Sequence, residues 1–342
     1  MSSNKINIAV LGATGYVGLE LVKILSKHPH VNIKNLCARK GIGKSIQFFD
    51  KKIKKKLPKI SNMIKVDWKK IDVVFTSLPT GEMQKIVKNI FKFKNLKIID
   101  LSADFRISKK KIFEKYYKQK FKSHQFSKHS IYSLSEFNKK KIKSYRIISC
   151  PGCYPTSILI PLIPIVKSNL IKTNNIIIDS KSGYSGAGKN LKNKFKHKNL
   201  YSSIHAYGVA KHRHLSEIDQ ELLKVNKNIK YNFTPHLIPT FRGMLSSIYV
   251  QTNNNITAKT IYKNIKKYHK NNYFIKILPF NKNMGTENVI NTNFCEISIL
   301  KLRDTNKVLI LSAIDNLIKG AAGQAIQNMN LIYSFKENSG LK

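Results

Sequence analysis

Short apolar stretches alternate with amphipathic segments through the first half of the chain. The run INIAVL at Ile6–Leu11 has the length and composition of a buried strand, and a glycine turn follows it. After the turn, Val17, Leu21 and Leu25 recur at helical spacing on one face. Further strands are predicted in VNIKNLCARK, IDVVFTSLP and LKIIDLSADF, with a helix at residues 81–91 between the last two. This alternation predicts a parallel, doubly wound α/β sheet.

The second half of the chain shows a different pattern. Strands are predicted at IIIDSKSG, NFTPHLIPTF and MLSSIYVQT, and at residues 294–302 and 307–314, which the turn RDTN joins as a hairpin. A helix is predicted in TAKTIYKNIKKYHK, with Thr257 as its N-cap. These elements predict an α+β domain with a mixed, largely antiparallel sheet.

The C-terminal segment DNLIKGAAGQAIQNMNLIYSF predicts a long helix. Its small residues at 320–323 allow close packing against another element, so we expect this helix to return to the first domain. The predicted domains are therefore residues 1–152 with 316–342, which form the α/β domain, and residues 153–315, which form the α+β domain.

The charge of the chain is extreme. Its 62 basic residues against 18 acidic ones give a net charge of +44, which first suggests a nucleic-acid partner. The lysines, however, are spread over the whole chain, accompany abundant Asn and Ile, and belong to no visible nucleic-acid-binding module. We therefore expect a solvated lysine coat and no nucleic-acid partner, with the lysine-rich segments 51–59 and 109–122 on the surface.

Neither a membrane segment nor a metal site is predicted. The most apolar run, residues 158–166, contains two prolines and falls far short of the roughly 20 residues that span a bilayer. The start, MSSNKINIAVLG, has too short an apolar run for a signal peptide. The cysteines show no metal-ligand spacing, so we expect free thiols in a reducing cytoplasm; they are Cys37, Cys150, Cys153 and Cys295.

Three glycines suggest a cofactor site. Gly12, Gly15 and Gly18 stand between a predicted strand and helix, where glycine permits a tight turn and close approach of a pyrophosphate to a helix N-terminus. The motif alone also fits a plain turn, but its place in the first βαβ unit favours dinucleotide binding. At the end of the second strand Arg39 and Lys40 replace the acid of an NAD site, which favours NADP(H).

The stretch SCPGCYPTSI places Cys153 between two turn signals. Pro155 suits the first turn of a helix, so the thiol would lie at a helix N-terminus, which lowers a thiol pKa. Such a thiolate can attack an activated acyl carbon and form a thioester that a hydride reduces. We expect Pro161 and Pro164 to end or kink this helix early.

Histidines, a loop and two arginines complete the predicted site. In KHRHLSEI, His212 or His214 can act as general acid–base, and Glu217 can orient it. The glycine- and serine-rich loop at residues 180–189 can present backbone N–H groups to an anion. We assign further groups for holding substrate and cofactor: Arg106, Arg242 and Ser182 for the substrate, and Pro79, Ser185 and Gly186 for the cofactor.

A series of motifs, in the same order along nearly the whole chain, resembles the N-acetyl-γ-glutamyl-phosphate reductases. The motifs are GATGYVG, IDLSADFR, YSLSEFN, SCPGCYPTS, SKSGYSGAGK, AYGVAKHRHLSEI, FTPHLIPTFRG and IDNLIKGAAGQAIQNMN. The resemblance implies NADPH-dependent reduction of N-acetyl-L-glutamyl 5-phosphate to N-acetyl-L-glutamate 5-semialdehyde in arginine biosynthesis. It also implies a Rossmann domain, and a homodimer or homotetramer formed through the sheet of the second domain.

The resemblance also assigns roles to residues. It implies that Cys153 is the nucleophile, that His212, His214 and Glu217 assist it, and that Asn316 lies near the nicotinamide. The cofactor turn then comprises Thr14, Gly15, Tyr16 and Val17. The chain departs from the pattern with threonine at position 80 and serine at 133 and 135, which bears on loop geometry. Two alternatives stay open: another acyl-phosphate reductase such as an aspartate-semialdehyde dehydrogenase, and a non-catalytic nucleotide- or nucleic-acid-binding protein.

Overall fold

A computed structural model of the chain describes residues 5–189, 199, 201–304 and 306–342. The chain forms two compact units. The first comprises Met1–Pro151 and Ala321–Lys342, and the second comprises Gly152–Gly320. Thr305, within the predicted turn RDTN, lies outside the described residues, as do residues 1–4.

The first unit contains a seven-stranded sheet in which every pair of neighbouring strands is parallel, in the order β3-β2-β1-β4-β5-β7-β6. Its central strands are almost wholly apolar because helices and loops cover both faces. This sheet confirms the predicted doubly wound α/β class. The strands are β1 Ile6–Leu11, β2 Val31–Cys37, β3 Ile60–Ser61, β4 Val73–Thr76, β5 Lys97–Asp100, β6 Ser130–Tyr132 and β7 Ile147–Ser149.

Helices connect these strands. The lysine-rich segment that we expected on the surface contains one of them, α3, which buries Phe113 and Tyr117 while its lysines face solvent. The helices are α1 Tyr16–Leu25, α2 Glu82–Ile90, α3 Lys110–Tyr117 and α4 Ser135–Asn138; short 3₁₀ turns lie at Ile46–Phe48, Met63–Lys65, Trp68–Lys70, His124–His129 and Ile142–Ser144.

The second unit contains a mixed seven-stranded sheet in the order β12-β13-β14-β11-β8-β10-β9. The β8–β10 and β12–β13 pairs are parallel and the other four pairs are antiparallel, which confirms the predicted largely antiparallel sheet. The strands are β8 Ile176–Gly183, β9 His205–Ala206, β10 Tyr231–Ile238, β11 Met244–Gln251, β12 Ile275–Ile277, β13 Cys295–Lys301 and β14 Lys307–Ile314.

The described residues of the second unit include the helices α5 Cys153–Lys167, α6 Leu215–Val225 and α7 Ala258–Tyr268. Thr257 caps α7 as predicted, since its side chain accepts a hydrogen bond from the Thr260 N–H. A 3₁₀ turn lies at Tyr184–Ala187, and the unit ends at Gly320, within a π-helical turn at Ile318–Ala322.

Helix α5 corrects one expectation about proline. We expected Pro161 and Pro164 to end or kink the helix; the expected early end was wrong, because the helix continues to Lys167 with both prolines inside. Each proline removes one backbone donor. From Tyr154 to Val166, every residue of this helix is buried, so tertiary packing stabilises it more than the prolines weaken it.

After the π-helical turn the chain re-enters the first unit as helix α8 Gly323–Ile332. Asn328 of this helix is fully buried and accepts hydrogen bonds from the hydroxyls of Ser133 and Ser135, at 3.0 and 2.9 Å. Its own amide donates to the Ser133 carbonyl at 3.2 Å. The two serines that depart from the family pattern therefore share one buried acceptor.

Replacing this acceptor should destabilise the protein. We expect Asn328→Ala to lower the free energy of unfolding by about 2–3 kcal/mol, because two buried hydroxyls lose their partner. Chemical denaturation measures the effect. The exposed Asn89→Ala on α2 is the control and should change stability by less than about 0.5 kcal/mol.

In a Ser133→Ala/Ser135→Ala background, Asn328→Ala should lower the free energy of unfolding clearly less than it does in the wild type. The reason is that no serine hydroxyls remain to lose their hydrogen-bond acceptor. An equal cost in both backgrounds would contradict the shared-acceptor arrangement.

Candidate functional site

The glycine turn of the first unit is shaped by close backbone contacts. Gly12 has a φ of +81°, and a Cβ there would lie 2.2 Å from the Ser77 carbonyl oxygen. A Cβ on Gly18 would lie 2.1 Å from the Gly12 carbonyl oxygen. Only glycine fits at these two positions, so the turn folds tightly onto the start of α1.

This turn fits a dinucleotide pyrophosphate. Gly15 is the N-cap of α1 and supplies no side-chain cap, so the first helical N–H groups are not covered by a capping side chain. Thr14, Tyr16 and Val17 lie within the same strand–turn–helix segment. A helix N-terminus of this kind offers N–H donors and a positive dipole end to phosphate.

Arg39 and Lys40 follow β2, and Arg39 has an acidic partner, Glu82, that the sequence analysis did not identify. Arg39 and Lys40 are both exposed, and Arg39 Nη2 lies 2.5 Å from Glu82 Oε2, at the first turn of α2. Pro79 is exposed, and its carbonyl accepts a hydrogen bond from the Glu82 N–H. An acidic group is therefore present beside Arg39, although none follows β2 in the sequence.

Cys153 is the first residue of α5, directly after the N-cap Gly152. Its side chain is half-buried, whereas Cys37, Cys150 and Cys295 are buried. Desolvation raises the pKa of Cys150 to about 12. Of the four thiols, Cys153 alone combines partial exposure with the first position of a helix, where the dipole favours thiolate.

Gly320 packs against Cys153. A Cβ on Gly320 would lie 2.6 Å from the Cys153 Cβ and 3.1 Å from its Cα. The sequence indicated that the small residues of this segment permit close packing, but not that Cys153 is the residue they contact. The π-helical turn that carries Gly320 therefore packs against the Cα and Cβ of Cys153.

A buried carboxylate holds the residue before Cys153. Glu217, in the first turn of α6, is fully buried and its Oε2 accepts a hydrogen bond from the Gly152 N–H at 2.9 Å. The other oxygen lies 3.7 Å from His214 Nε2. A Cβ on Gly152 would lie 2.4 Å from that same nitrogen, so the imidazole packs directly on the turn. The structure therefore brings His214 and Glu217 together at the residue directly before Cys153.

His212 lies beside His214, with ring centroids 4.7 Å apart. Its Nδ1 accepts a hydrogen bond from the His214 N–H at 3.1 Å, and the rings of Tyr154 and Tyr207 pack edge-on against it. Desolvation, with the Arg213 charge in addition, lowers the pKa of His212 to about 3. The His212 ring is therefore neutral at neutral pH.

The loop after β8 corrects a second expectation. We expected its backbone N–H groups to be available to an anion. Those of Gly183, Tyr184 and Ser185 instead donate to the carbonyls of residues 240–243, because the loop pairs with the segment that precedes β11. The 240–243 segment thus satisfies donors that a ligand would otherwise have bound.

The assigned side chains of this loop nevertheless lie together with Asn316. The Asn316 amide donates to Ser185 Oγ at 2.9 Å, and its carbonyl oxygen accepts from the Gly243 N–H at 2.9 Å. A Cβ on Gly186 would lie 3.2 Å from Ser182 Oγ and 3.5 Å from the Asn316 amide nitrogen.

The two assigned arginines belong to different units. Arg106 is buried in the first unit and its Nη2 lies 3.4 Å from the Leu101 carbonyl oxygen. Arg242, in the second unit, is paired at 3.0 Å with Asp315, whose other oxygen accepts from the Leu317 and Ile318 N–H groups at the start of the π-helical turn. Arg242 is thereby connected to the turn that positions Cys153.

Within the described part of the chain, no group of three or more His, Cys, Asp or Glu side chains is placed to hold a metal ion. In the same residues, no helix has both the length and the apolarity needed to cross a membrane.

Comparison with known families matches both parts of the chain. The family described as semialdehyde dehydrogenase, NAD binding domain, matches residues 7–145. The family described as semialdehyde dehydrogenase, dimerisation domain, matches residues 153–316.

Among solved structures, aspartate semialdehyde dehydrogenase II from Vibrio cholerae, complexed with ASA, has a TM-score of 0.75 at 17% identity. It covers 97% of this chain and 99% of its own. The aspartate semialdehyde dehydrogenase of Candida albicans, solved with NADP, has a TM-score of 0.66 at 16% identity and covers 96% of this chain and 99% of its own. These likenesses confirm the fold.

Curated relatives extend the match over the full length. A probable N-acetyl-gamma-glutamyl-phosphate reductase, chloroplastic, of Arabidopsis thaliana is 40% identical over 98% of this chain and 84% of its own length. The N-acetyl-gamma-glutamyl-phosphate reductases of Ehrlichia canis, at 40%, and Thermoanaerobacter pseudethanolicus, at 39%, are each covered over 98% of their length. These matches confirm the resemblance of the motifs, and the chain belongs to the N-acetyl-gamma-glutamyl-phosphate reductase family.

Proposed function

We propose that this protein reduces N-acetyl-L-glutamyl 5-phosphate to N-acetyl-L-glutamate 5-semialdehyde and phosphate in arginine biosynthesis, with NADPH and a thioester on Cys153. The observation that carries this proposal is the placement of Cys153 at the start of α5. There Gly320 packs on its Cβ, and Glu217 and His214 hold the preceding glycine. The names of the full-length relatives supply the substrate.

Acylation is the first step. The Cys153 thiolate, stabilised by the α5 N-terminus, attacks the γ-acyl carbon. The S–C bond forms as the bond from that carbon to the phosphate oxygen breaks, and inorganic phosphate leaves. Arg106 and Arg242, with Ser182, are the groups that we assign to the anionic parts of the substrate.

Reduction and release follow. When bound, NADPH supplies the hydride that converts the thioester carbon into a hemithioacetal. His214 exchanges the proton of the hemithioacetal oxygen, and the C–S bond then breaks to regenerate the thiolate and release the aldehyde. Glu217 holds both the Gly152 N–H and the imidazole, so it is a positioning residue.

The cofactor is held by the first unit in this proposal. The glycine turn from Gly12 to Gly18 binds the pyrophosphate, and Arg39 and Lys40 bind the 2′-phosphate. We assign Ser185, Gly186 and Asn316 of the second unit, together with Pro79, to the remaining contacts with the cofactor. Because the scheme needs a free thiol, we place the reaction in the reducing cytoplasm.

We also propose that the protein is a homodimer or homotetramer. A row of apolar side chains crosses one face of the second sheet, with Ile177, Tyr249, Leu309 and Leu300 in register on β8, β11, β14 and β13. Ile177 and Tyr249 are exposed although they are large and apolar. An apolar sheet face of this kind suits contact with a second copy, in agreement with the dimerisation-domain description.

Cys153 provides the test of the proposed function. Cys153→Ser should lower the reduction rate by at least about a thousandfold, because the hydroxyl is a far weaker nucleophile, while the NADPH dissociation constant stays within about twofold. The rate is followed by NADPH absorbance, with aspartyl phosphate as the control substrate. Cys295→Ser, at a buried cysteine, is the control variant.

Mass spectrometry of the wild type mixed with acyl phosphate, without NADPH, should locate the acyl group on the peptide that contains Cys153. An unaltered rate in Cys153→Ser, or an acyl group on another residue, would refute the covalent scheme.

The two histidines should respond differently to substitution. His214→Gln should lower kcat by about a hundredfold or more and remove the pH dependence that this imidazole imparts. His212→Gln should retain the pH dependence, because the pKa of His212 near 3 keeps its ring neutral throughout the neutral range. Profiles of kcat against pH for both variants decide this; loss of the dependence in His212→Gln alone would reverse the assignment.

Gly320 should be sensitive to a single methyl group. Gly320→Ala places a Cβ 2.6 Å from the Cys153 Cβ, so Cys153 must shift, and kcat should fall by about ten- to a hundredfold with little change in NADPH binding. In the control, Gly285→Ala, the new Cβ meets only the flexible carboxyl end of Glu287. Full activity in Gly320→Ala would show that this contact does not position the thiol.

A further inference from the structure

Glu82 is the first residue of α2, and its backbone position is fixed by another residue. Asp104 Oδ1 accepts a hydrogen bond from the Gly81 N–H at 2.6 Å, and Oδ2 accepts from the Met83 N–H at 2.9 Å. Gly81, the N-cap, has a φ of +92°, in the left-handed region. Because Asp104 binds these N–H groups of α2, the Glu82 carboxylate is not needed for capping and points elsewhere.

The Glu82 carboxylate binds two cations. Oε2 lies 2.5 Å from Arg39 Nη2, and Oε1 lies 2.6 Å from Lys85 Nζ. The side chains of Arg39 and Lys85 are 76% and 67% exposed, whereas Glu82 is 23% exposed. The hydrogen bond from Lys85 is the main cause that lowers the pKa of Glu82, so the carboxylate is ionised at neutral pH.

This ion pair lies beyond the end of β2, where dinucleotide-binding proteins distinguish NAD(H) from NADP(H). In a dinucleotide-binding sheet of this order, the adenosine ribose lies at the carboxyl end of the second strand. A carboxylate there accepts a hydrogen bond from the 2′-hydroxyl of NAD(H), and an arginine there accommodates the 2′-phosphate of NADP(H). β2 ends at Cys37, two residues before Arg39, and α2 brings Glu82 to the same place.

The surroundings of Glu82 are rich in cations. Glu82 lines a cavity of about 430 Å³ in the first unit, and Lys85, Lys120 and Lys122 line it as well. A 2′-phosphate carries a charge of about −1.5 to −2, so it would compete with the single charge of Glu82 for Arg39 and Lys85. An acidic side chain at this point works against a phosphate and in favour of a hydroxyl.

We propose that Glu82 sets the cofactor selectivity of this protein: its carboxylate holds Arg39 and Lys85 in ion pairs that a 2′-phosphate must displace. The residue thereby reduces the preference for NADP(H) over NAD(H) that Arg39 and the neighbouring lysines create. This inference rests on the dinucleotide-dependent function proposed above, and concerns only the strength of discrimination at the 2′ position.

The test is equilibrium binding, separate from turnover. Dissociation constants of NADPH and NADH are measured by nicotinamide fluorescence for the wild type and Glu82→Gln. The amide keeps the shape of the side chain and removes its charge. We expect the ratio of the NADH to the NADPH dissociation constant to rise about five- to tenfold, mainly through tighter NADPH binding.

Two controls isolate the effect. Glu221 pairs with Lys224 at 2.6 Å, three residues on along a helix, as Glu82 does with Lys85, but it lies in the second unit. Glu221→Gln should leave the ratio within about twofold of the wild type. Arg39→Gln should change the ratio in the opposite direction, and about 1 M salt should reduce the effect of Glu82→Gln, because exposed charges are screened.

The outcomes separate the two proposals. If Arg39→Gln lowers the ratio but Glu82→Gln leaves it unchanged, the role of Glu82 is refuted while the NADPH-dependent function stands. If the wild type binds neither dinucleotide, the proposed function itself fails. A rise in Glu82→Gln that Glu221→Gln reproduces would be an effect of net charge and would also refute the inference.

Discussion

The hydrogen bond from the Gly152 N–H to the buried Glu217 carboxylate organises the turn that precedes Cys153. Burying a carboxylate is costly unless hydrogen bonds and a nearby cation compensate it. Here the Gly152 N–H of the turn that precedes Cys153 donates to the carboxylate, and the His214 imidazole lies 3.7 Å away. The same bond therefore connects the start of α5 with the start of α6 and brings the His214 imidazole to the turn that precedes Cys153.

Close backbone packing supplies the second constraint. Gly152 lies against His214, and Gly320 lies against Cys153, at distances that no side chain permits. In the first unit, Gly12 and Gly18 have the same relation to the backbone around them. Around Cys153, the Gly152–Glu217 hydrogen bond and the close Gly320 contact both limit small displacements of the start of α5.

Carboxylates do much of this work although the chain has only 18 acidic residues against 62 basic ones. Glu217 accepts a hydrogen bond from the Gly152 N–H, in the turn that precedes Cys153. Asp315 connects Arg242 to the π-helical turn. Asp104 caps α2, and Glu82 forms an ion pair with Arg39 beyond the end of β2. The lysine coat is spread over the surface, whereas these acids lie where backbone donors or paired cations need a negative charge.

The sequence by itself determined the features that are local in the chain. Alternating strands and helices, the glycine turn after β1, the cap at Thr257 and the cysteine at a helix start follow from periodicity and from the conformational limits of glycine and proline. The motif order determined the family. The expected early end of α5 at Pro161 or Pro164 was wrong, because burial along the helix outweighs the lost donors.

Only the tertiary structure decided which distant residues meet. Ser133 with Asn328, Gly320 with Cys153, and Glu82 with Arg39 are contacts between segments far apart in the chain. The short strands β3, β6, β7, β9 and β12 likewise carry too few residues for a readable period. The physical reason is that periodicity reports which face of an element is buried. Hydrogen-bond and charge partners depend instead on where folding brings the other end of the chain.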